Sequence, residues 1–489
     1  MRAGRGAVVR QPDAVVVGSG PNGLAAAITL ARAGLAVDVI EGAAEPGGGC
    51  RTSELTLPGY AHDVCSTVHA LAAASPFFQT IDLAARGARL VTPPVAAAQP
   101  LDGGRAAALA GSVADTAASL GDAGYPGLMG PLVRSADAVT AAFLAPLRRV
   151  PAHPVSAGRF AAEAILPATV LARRLRTEDG RALLAGLAGH AMLPLSAPVS
   201  GGFGLFLGLL AHTTGWPFVA GGSMRLTEAL VAELTALGGR VETGRWVRRI
   251  EDLPPARAVL LDVSPRSLAR IAAARLPRRY LRALDRVRYG PGICKVDWAL
   301  DGPVPWAAPA CRQAGTVHVG GTLAEVAASE ADVAAGRHPD RPYCLVTQPC
   351  VADPGRAPGG GHVLWAYCHV PSGSAVDMSG PIEAQIERFA PGFKDRVLAR
   401  AVRTAAEVAA DNPNYVGGDI NGAAGTLRQT LMRPVPRWNP YRTPARGVYL
   451  CSSATPPGGG VHGMCGAWAA ATALRDLGLP AAAPLPSAS

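Results

Sequence analysis

From Asp13 to Glu41 the chain reads DAVVVGSGPNGLAAAITLARAGLAVDVIE, a glycine-rich turn between two apolar runs with an acid closing the second. Ala14 to Val17 predicts a buried strand, Leu24 to Ala33 the helix after it, and Ala36 to Ile40 a second strand. This is the start of a Rossmann-type α/β unit. Gly18, Gly20 and Gly23 supply its GxGxxG turn. The first glycine makes the tight turn, the second lets backbone N–H groups approach a pyrophosphate, and the third lets helix and strand pack closely. Ser19, Pro21 and Asn22 lie between them and are expected contacts of the same ligand. Glu41 is placed to accept hydrogen bonds from ribose hydroxyls, and an acid there disfavours a 2′-phosphate. The order of strand, turn, helix, strand and acid predicts a bound dinucleotide.

A second glycine cluster comes at once, EPGGGCRT from Glu45 to Thr52. NAD-only Rossmann domains do not usually continue in this way. The segment resembles the GG-x-x-R-[ST] stretch of the amine oxidase and phytoene desaturase flavoproteins, where loop and arginine line the FAD pyrophosphate. That resemblance implies FAD as cofactor, with Gly47, Gly48, Gly49, Arg51 and Thr52 beside it. Cys50 is either a point of covalent flavin attachment or a buried bystander thiol, and the burial habit of cysteine favours the second.

Near the other end, Gly447 to Leu474 reads GVYLCSSATPPGGGVHGMCGAWAAATAL: a short strand, a polar turn, a triple glycine and an alanine-rich helix. It is a second helix N-terminus directed at a ligand, against the plainer reading of a glycine-capped turn. Gly458 to Gly460 let a flat ring lie against backbone, and the helix dipole offers partial positive charge to a reduced flavin. Ser453, Gly459, Gly460 and Val461 are the expected contacts. The two ends together resemble the phytoene desaturase-like FAD oxidoreductases. NPNYVGGDING (Asn412 to Gly422), MRPVP (Met432 to Pro436) and YRTP (Tyr441 to Pro444) are similar to the pyridine nucleotide-disulphide oxidoreductase domain-containing protein 2 branch. The chain departs from that branch where Pro456 replaces a usual His, and where His462 and Cys465 enter the glycine-box helix. The resemblance further implies that the segment after Gly221-Gly222 returns to the FAD domain and that Val247 reaches the adenine through backbone atoms.

The expected fold is therefore α/β, with a discontinuous Rossmann-type FAD-binding domain from residues 12–105, 218–275 and 425–478. An α+β substrate-binding domain with a mixed or antiparallel sheet is expected from 106–217 and 276–424, with flexible termini at 1–11 and 479–489. Leu226 to Leu237 predicts an amphipathic helix, Arg240 to Glu251 paired strands, and Ala258 to Asp262 a further sheet strand. Cys294 to Leu300, Tyr343 to Gln348 and His362 to His369 alternate like antiparallel strands, the expected floor of a substrate cavity.

Composition narrows the classes. The net charge of +10 comes from 46 basic and 36 acidic residues, and Lys295 and Lys394 are the only lysines. With no aromatic-interleaved basic patch, this arginine charge reads as solvated surface and not as a nucleic-acid interface. Nine cysteines without a CxxC or zinc spacing fit reduced thiols in a cytoplasmic protein and no metal centre. The first thirteen residues lack a long apolar core and read as a leader, not a secretory signal. Gly201 to Ala211 is the most apolar stretch, shorter than the ~20 residues of a membrane span, and is expected to be a core helix or tunnel wall. Ala164 to Arg176, an apolar run followed by Arg173, Arg174 and Arg176, suits peripheral membrane contact or an ordinary amphipathic helix; Pro167 and its shortness favour the latter.

His462 is the candidate catalytic base, one turn into the glycine-box helix, with a capping or supporting histidine as the alternative. Asp419 and Asn421 read as turn formers, with hydrogen bonding to flavin or substrate as the alternative, and His190 and His212, which flank the apolar stretch, read as structural, with a place facing the cavity as the alternative. No HExxH, GxSxG or P-loop pattern is present. The expected activity is FAD-dependent dehydrogenation of a CH–CH bond in an apolar or lipid-like small molecule by hydride transfer to flavin N5, with oxygen or a quinone as acceptor. No aromatic pair flanks the glycine box to cage an amine, which places amine oxidation second. A flavin-bound scaffold without turnover is the remaining alternative.

Overall fold

The structure is a computed structural model that describes residues 11–146 and 151–480. Of the leader expected over residues 1–13 and the flexible termini expected at 1–11 and 479–489, residues 1–10 and 481–489 lie outside the described residues.

Two sheets organise the chain. The first has five parallel strands in the order Val448–Leu450, Ala258–Leu261, Ala14–Val17, Val37–Ile40, Arg240–Glu242. Ala14–Val17 is buried at every position, as a central parallel strand covered on both faces must be. Register aligns the strand ends: Val17 lies level with Ile40 and Leu261, and Leu261 with Leu450. Gly18, Glu41, Asp262 and Cys451 therefore leave the sheet along one carboxyl edge, where open α/β sheets bind ligands. Helices Pro21–Arg32 and Met464–Asp476 cover one face, joined by the buried Leu24, Ile28, Ala467 and Ala470. Arg240 to Glu251 departs from the expected strand pair. Only Arg240–Glu242 is a strand, and its partner is the distant Val37–Ile40.

The second sheet has seven strands in the order Val397–Arg403, Gly292–Leu300, His362–Val370, Cys344–Thr347, Ala314–Val319, Val95–Leu101, Arg105–Leu109. All neighbours are antiparallel except Ala314–Val319 with Val95–Leu101. Val95–Leu101, placed by the sequence with the FAD-binding segment 12–105, is thus a strand of the substrate-side sheet. The alternation read in these strands is real, yet neither face meets bulk water: Gly292–Leu300 is buried throughout. One face, with Val296, Trp298, Val346 and Leu364, packs on helix Ser379–Phe389 through Ile382 and Ile386. The opposite face carries the polar members and turns toward the nucleotide sheet.

Helices Tyr125–Val133, Glu178–Gly189 and Ser200–Ala211 build a third core with Trp216. Ser200–Ala211 is the apolar stretch of the sequence, and Gly204 brings it against the backbone of Ala188. Ala164 to Arg176 is broken between Pro154–Ala164 and Ala168–Arg174, bent by 100°. Leu171, Ala172 and Leu175 point into the core there. Among the described residues no single helix is long and apolar enough to cross a membrane.

Candidate functional site

A single long cavity runs from the carboxyl edge of the parallel sheet to the polar face of the seven-stranded one. At its nucleotide end the glycine turn is packed to the limit. A Cβ on Gly23 would lie 2.1 Å from the Gly18 carbonyl oxygen, and one on Gly18, whose φ is +97°, would lie 2.8 Å from that of Asp262. Gly18, Gly20, Pro21 and Asn22 line the cavity. Gly23 and Ser19 lie behind it and shape it: the Ser19 N–H and hydroxyl both donate to Glu41 Oε2, at 2.8 and 2.6 Å. Ala43 N–H donates to Glu41 Oε1 at 2.9 Å. These bonds aim the Glu41 carboxylate into the cavity with acceptor capacity to spare.

Gly48, Gly49 and Arg51 line the adjoining wall, with Arg51 Nε held by the Gly48 carbonyl at 2.9 Å. Gly47 instead donates its N–H to the Ser19 carbonyl. Thr52 faces away from the cavity, donating to Asp63 at 2.8 Å and accepting from Met224 N–H at 3.1 Å, so its role is to fix the loop. Val247, Ser453, Gly460 and Val461 reach the cavity. Gly459 does not; its Cα hydrogens face Asn421, where a Cβ would lie 2.9 Å from Oδ1. Burial pushes the Cys50 thiol pKa up, which suits the inert bystander, and all nine cysteines are free.

The catalytic assignment of His462 is corrected. The residue precedes its helix, because Gly463 at φ +67° is the N-cap. Its Nδ1 accepts the Met464 N–H at 3.0 Å and its Nε2–H donates to the Gly458 carbonyl at 3.1 Å. Both ring nitrogens are spent on the backbone, and burial lowers its pKa to about 4. It is a neutral cap that shapes the glycine box. Asp419 makes turns as expected, accepting the N–H groups of Gly290 and Asn421.

Sequence reasoning missed Asp262, although it singled out the strand that ends there. Its Oδ2 accepts the Gly23 N–H at 2.8 Å, inside the pyrophosphate turn. Burial raises its pKa most, the Gly23 bond opposes this and the Glu41 charge adds to it, leaving it at about 7. The ordinary value is about 3.9, so the stability this group contributes is full below about pH 4 and is lost as pH rises through about 7. A phosphate beside it favours the neutral carboxyl for the same reason. Affinity of the cofactor-free protein for ADP is expected to fall by about threefold or more between pH 6 and 8, and Asp262→Asn to flatten that slope. Calorimetric titration at the two pH values decides, and equal slopes in both proteins contradict the assignment.

At the far end the sequence predicted strands flooring a cavity but named no lining residue on them. Thr316, Leu345, Thr347, Trp365 and Tyr367 line the cavity from the seven-stranded sheet, opposed by His190 and Trp216. Trp365 and Tyr367 stack at 5.7 Å. Beside them lies Lys295, 1% exposed, paired with Asp297 and 5.0 Å from the Trp365 ring centroid; burial lowers its pKa. The available signal was compositional: it is one of two lysines in an arginine-rich chain. Among the described residues no group of His, Cys, Asp or Glu is arranged to hold a metal ion.

The arrangement fits FAD. Asn22 Oδ1 is buried on the cavity wall without a hydrogen-bond partner, and side chains on the turn glycines would collide with backbone. The ribose acid, the Arg51 loop and the glycine box converge on one space from opposite ends of the chain. This fold and site define a Rossmann-type, dinucleotide-binding architecture with a separate seven-stranded sheet. Residues 16–82 match the family described as NAD(P)-binding Rossmann-like domain. The chain is similar to pyridine nucleotide-disulphide oxidoreductase domain-containing protein 2 of Rattus norvegicus, 27% identical over 61% of this chain and 59% of that protein. It thus spans less than two thirds of the length of that relative. In fold it is similar to an oxidoreductase from Methanosarcina mazei, with TM-score 0.65, 16% identity, and coverage of 94% of this chain and 99% of that one. It is also similar to putrescine oxidase bound to putrescine, with TM-score 0.61, 18% identity, and coverage of 96% and 99%. These likenesses support the resemblance drawn from the glycine motifs.

Proposed function

We propose that this protein is an FAD-dependent oxidoreductase that removes two hydrogens from a CH–CH bond of a largely apolar small molecule. The observation that carries the reading is the continuous cavity joining the nucleotide turn to an aromatic wall on a second sheet. Bound there, FAD would supply a hydride acceptor at N5. The chain's own residues bind and orient. Glu41 takes the ribose, the glycine turn and Arg51 take the pyrophosphate, and Gly460 and Val461 support the ring. Trp216, Trp365 and Tyr367 exclude water and hold the apolar body of the substrate. Oxygen or a quinone is the acceptor that regenerates the cofactor.

One observation favours a second reading. The sequence argument against amines combined the family resemblance, the apolar substrate region and the lack of an aromatic pair at the glycine box; the third is met otherwise, because Trp365 and Tyr367 bring a stacked pair to the cavity from a distant strand. Amine oxidation, the chemistry of a putrescine oxidase, would use such a pair. Against it, among the described residues this wall offers no carboxylate for an ammonium to pair with, since Asp297 is closed on Lys295. Anaerobic titration of the FAD-loaded protein separates the two. Bleaching of the flavin absorbance by lipid or carotenoid substrates supports dehydrogenation. Bleaching by primary or secondary amines, with hydrogen peroxide released in air, replaces it. A flavin that no substrate of either class reduces leaves a scaffold.

A further inference from the structure

The polar face of the seven-stranded sheet holds two hydroxyls in the wrong place for a pure hydrocarbon. Thr316 and Thr347 are directly opposite one another across an antiparallel pair, and Thr347 is opposite Trp365 on the next strand. All three side chains share one face and line the cavity. The two threonines are 1% and 0% exposed, and neither Oγ1 has a hydrogen-bond partner. Buried hydroxyls are almost always paired, and leaving two unpaired side by side is costly. Such a pair presents two donors and two acceptors to a ligand oxygen.

Charge narrows that oxygen. Next to the threonines, His190 Nε2 and His318 Nε2 are 2.9 Å apart, so one must donate and the other accept. Burial holds both rings neutral, lowering His190 to about 3. The buried charged partners around this wall are closed on one another, Lys295 on Asp297 and Glu330 on His369. Nothing on this wall offers a net charge to a carboxylate or an ammonium. Hydroxyls that both donate and accept suit a neutral alcohol or carbonyl.

We infer that the substrate carries a neutral hydroxyl or carbonyl group, bound by Thr316 and Thr347, on an otherwise apolar body packed against Trp365. The inference rests on the proposed function and deepens it by naming the substrate class. The probes are benzyl alcohol and toluene, with benzylamine and benzoate as charged controls. Binding to the FAD-loaded full chain is read from flavin difference spectra and, independently of flavin, from quenching of tryptophan fluorescence at Trp216 and Trp365.

Benzyl alcohol is expected to bind about tenfold more tightly than toluene and more tightly than either charged control. The Thr316→Val/Thr347→Val double variant should lose that preference with toluene affinity unchanged, and the Thr316→Ser/Thr347→Ser variant should keep it. Equal affinity for alcohol and toluene, a preference that survives the valines, or benzylamine binding best overturns the inference. A protein that takes no FAD sinks the proposed function instead, while the fluorescence readout still decides the threonines.

Discussion

Gly466→Ala is expected to cost about 3 kcal/mol or more of stability and to release the cofactor. A Cβ at Gly466 would stand 1.8 Å from the Asn22 carbonyl oxygen and 2.9 Å from the Ala26 nitrogen. Both obstacles are backbone, so no side chain can rotate aside. Helices Pro21–Arg32 and Met464–Asp476 would have to separate, and their N-termini carry the nucleotide turn and the glycine box. One shift therefore opens both ends of the cofactor site. Urea unfolding and the flavin-to-protein ratio measure the outcome, and a variant with the wild-type midpoint and full flavin content would show that the helix pair tolerates the gap.

Arg356→Leu should destabilise by about 3–5 kcal/mol, because it strands a buried carboxylate. Arg356 is 1% exposed and donates to Asp63 Oδ2 at 3.1 Å, to Asp353 Oδ2 at 2.8 Å and to the Val219 carbonyl at 3.0 Å. Asp63 also accepts from Thr52 and from the Ser223 N–H. Three segments distant in sequence are tied at this guanidinium. Burial alone would raise the Asp63 pKa, but Arg356 and those hydrogen bonds outweigh it and hold the carboxyl below its ordinary value. Asp63 thus contributes stability that is present above about pH 4 and lost as pH falls through its folded pKa. Without the arginine, burial prevails and the sign inverts for this group. The variant's deficit should shrink on acidification toward pH 5, and chemical unfolding at pH 5 and pH 8 tests this; a deficit that grows in acid contradicts the pairing.

How legible was this in the sequence? The nucleotide turn could be read because its determinants are local: Gly18, Gly20, Gly23 and Glu41 lie within one strand–helix–strand unit. His462 was misread because proximity to Gly460 in sequence suggested proximity to the ring, whereas the left-handed Gly463 turns it back onto the carbonyl of Gly458. Asp262 lay at the end of a correctly read strand, but only the register of Leu261 with Val17 shows that it enters the turn. Thr316, Thr347, Trp365 and Asp297 form one row across four strands, contributed in an order that no local pattern encodes. Their alternation announced strands and a cavity floor but not which side chains line it, since a polar face turned to a ligand and a polar face turned to water share one period. Val95–Leu101 was grouped with the FAD-binding segment 12–105 for a like reason: its partner in the second sheet, Ala314–Val319, is more than two hundred residues away.

The order of the parallel sheet also sets a timetable for synthesis. Ala14–Val17 pairs on one side with Val37–Ile40 and on the other with Ala258–Leu261, which in turn waits for Val448–Leu450. At about 5–20 residues per second on a ribosome, the glycine turn stands without its final neighbours for roughly half a minute or more. Cofactor loading is therefore a late event, closed only when the helix bearing Gly466 docks on the helix bearing Gly23, and a nascent chain halted before that helix should emerge colourless.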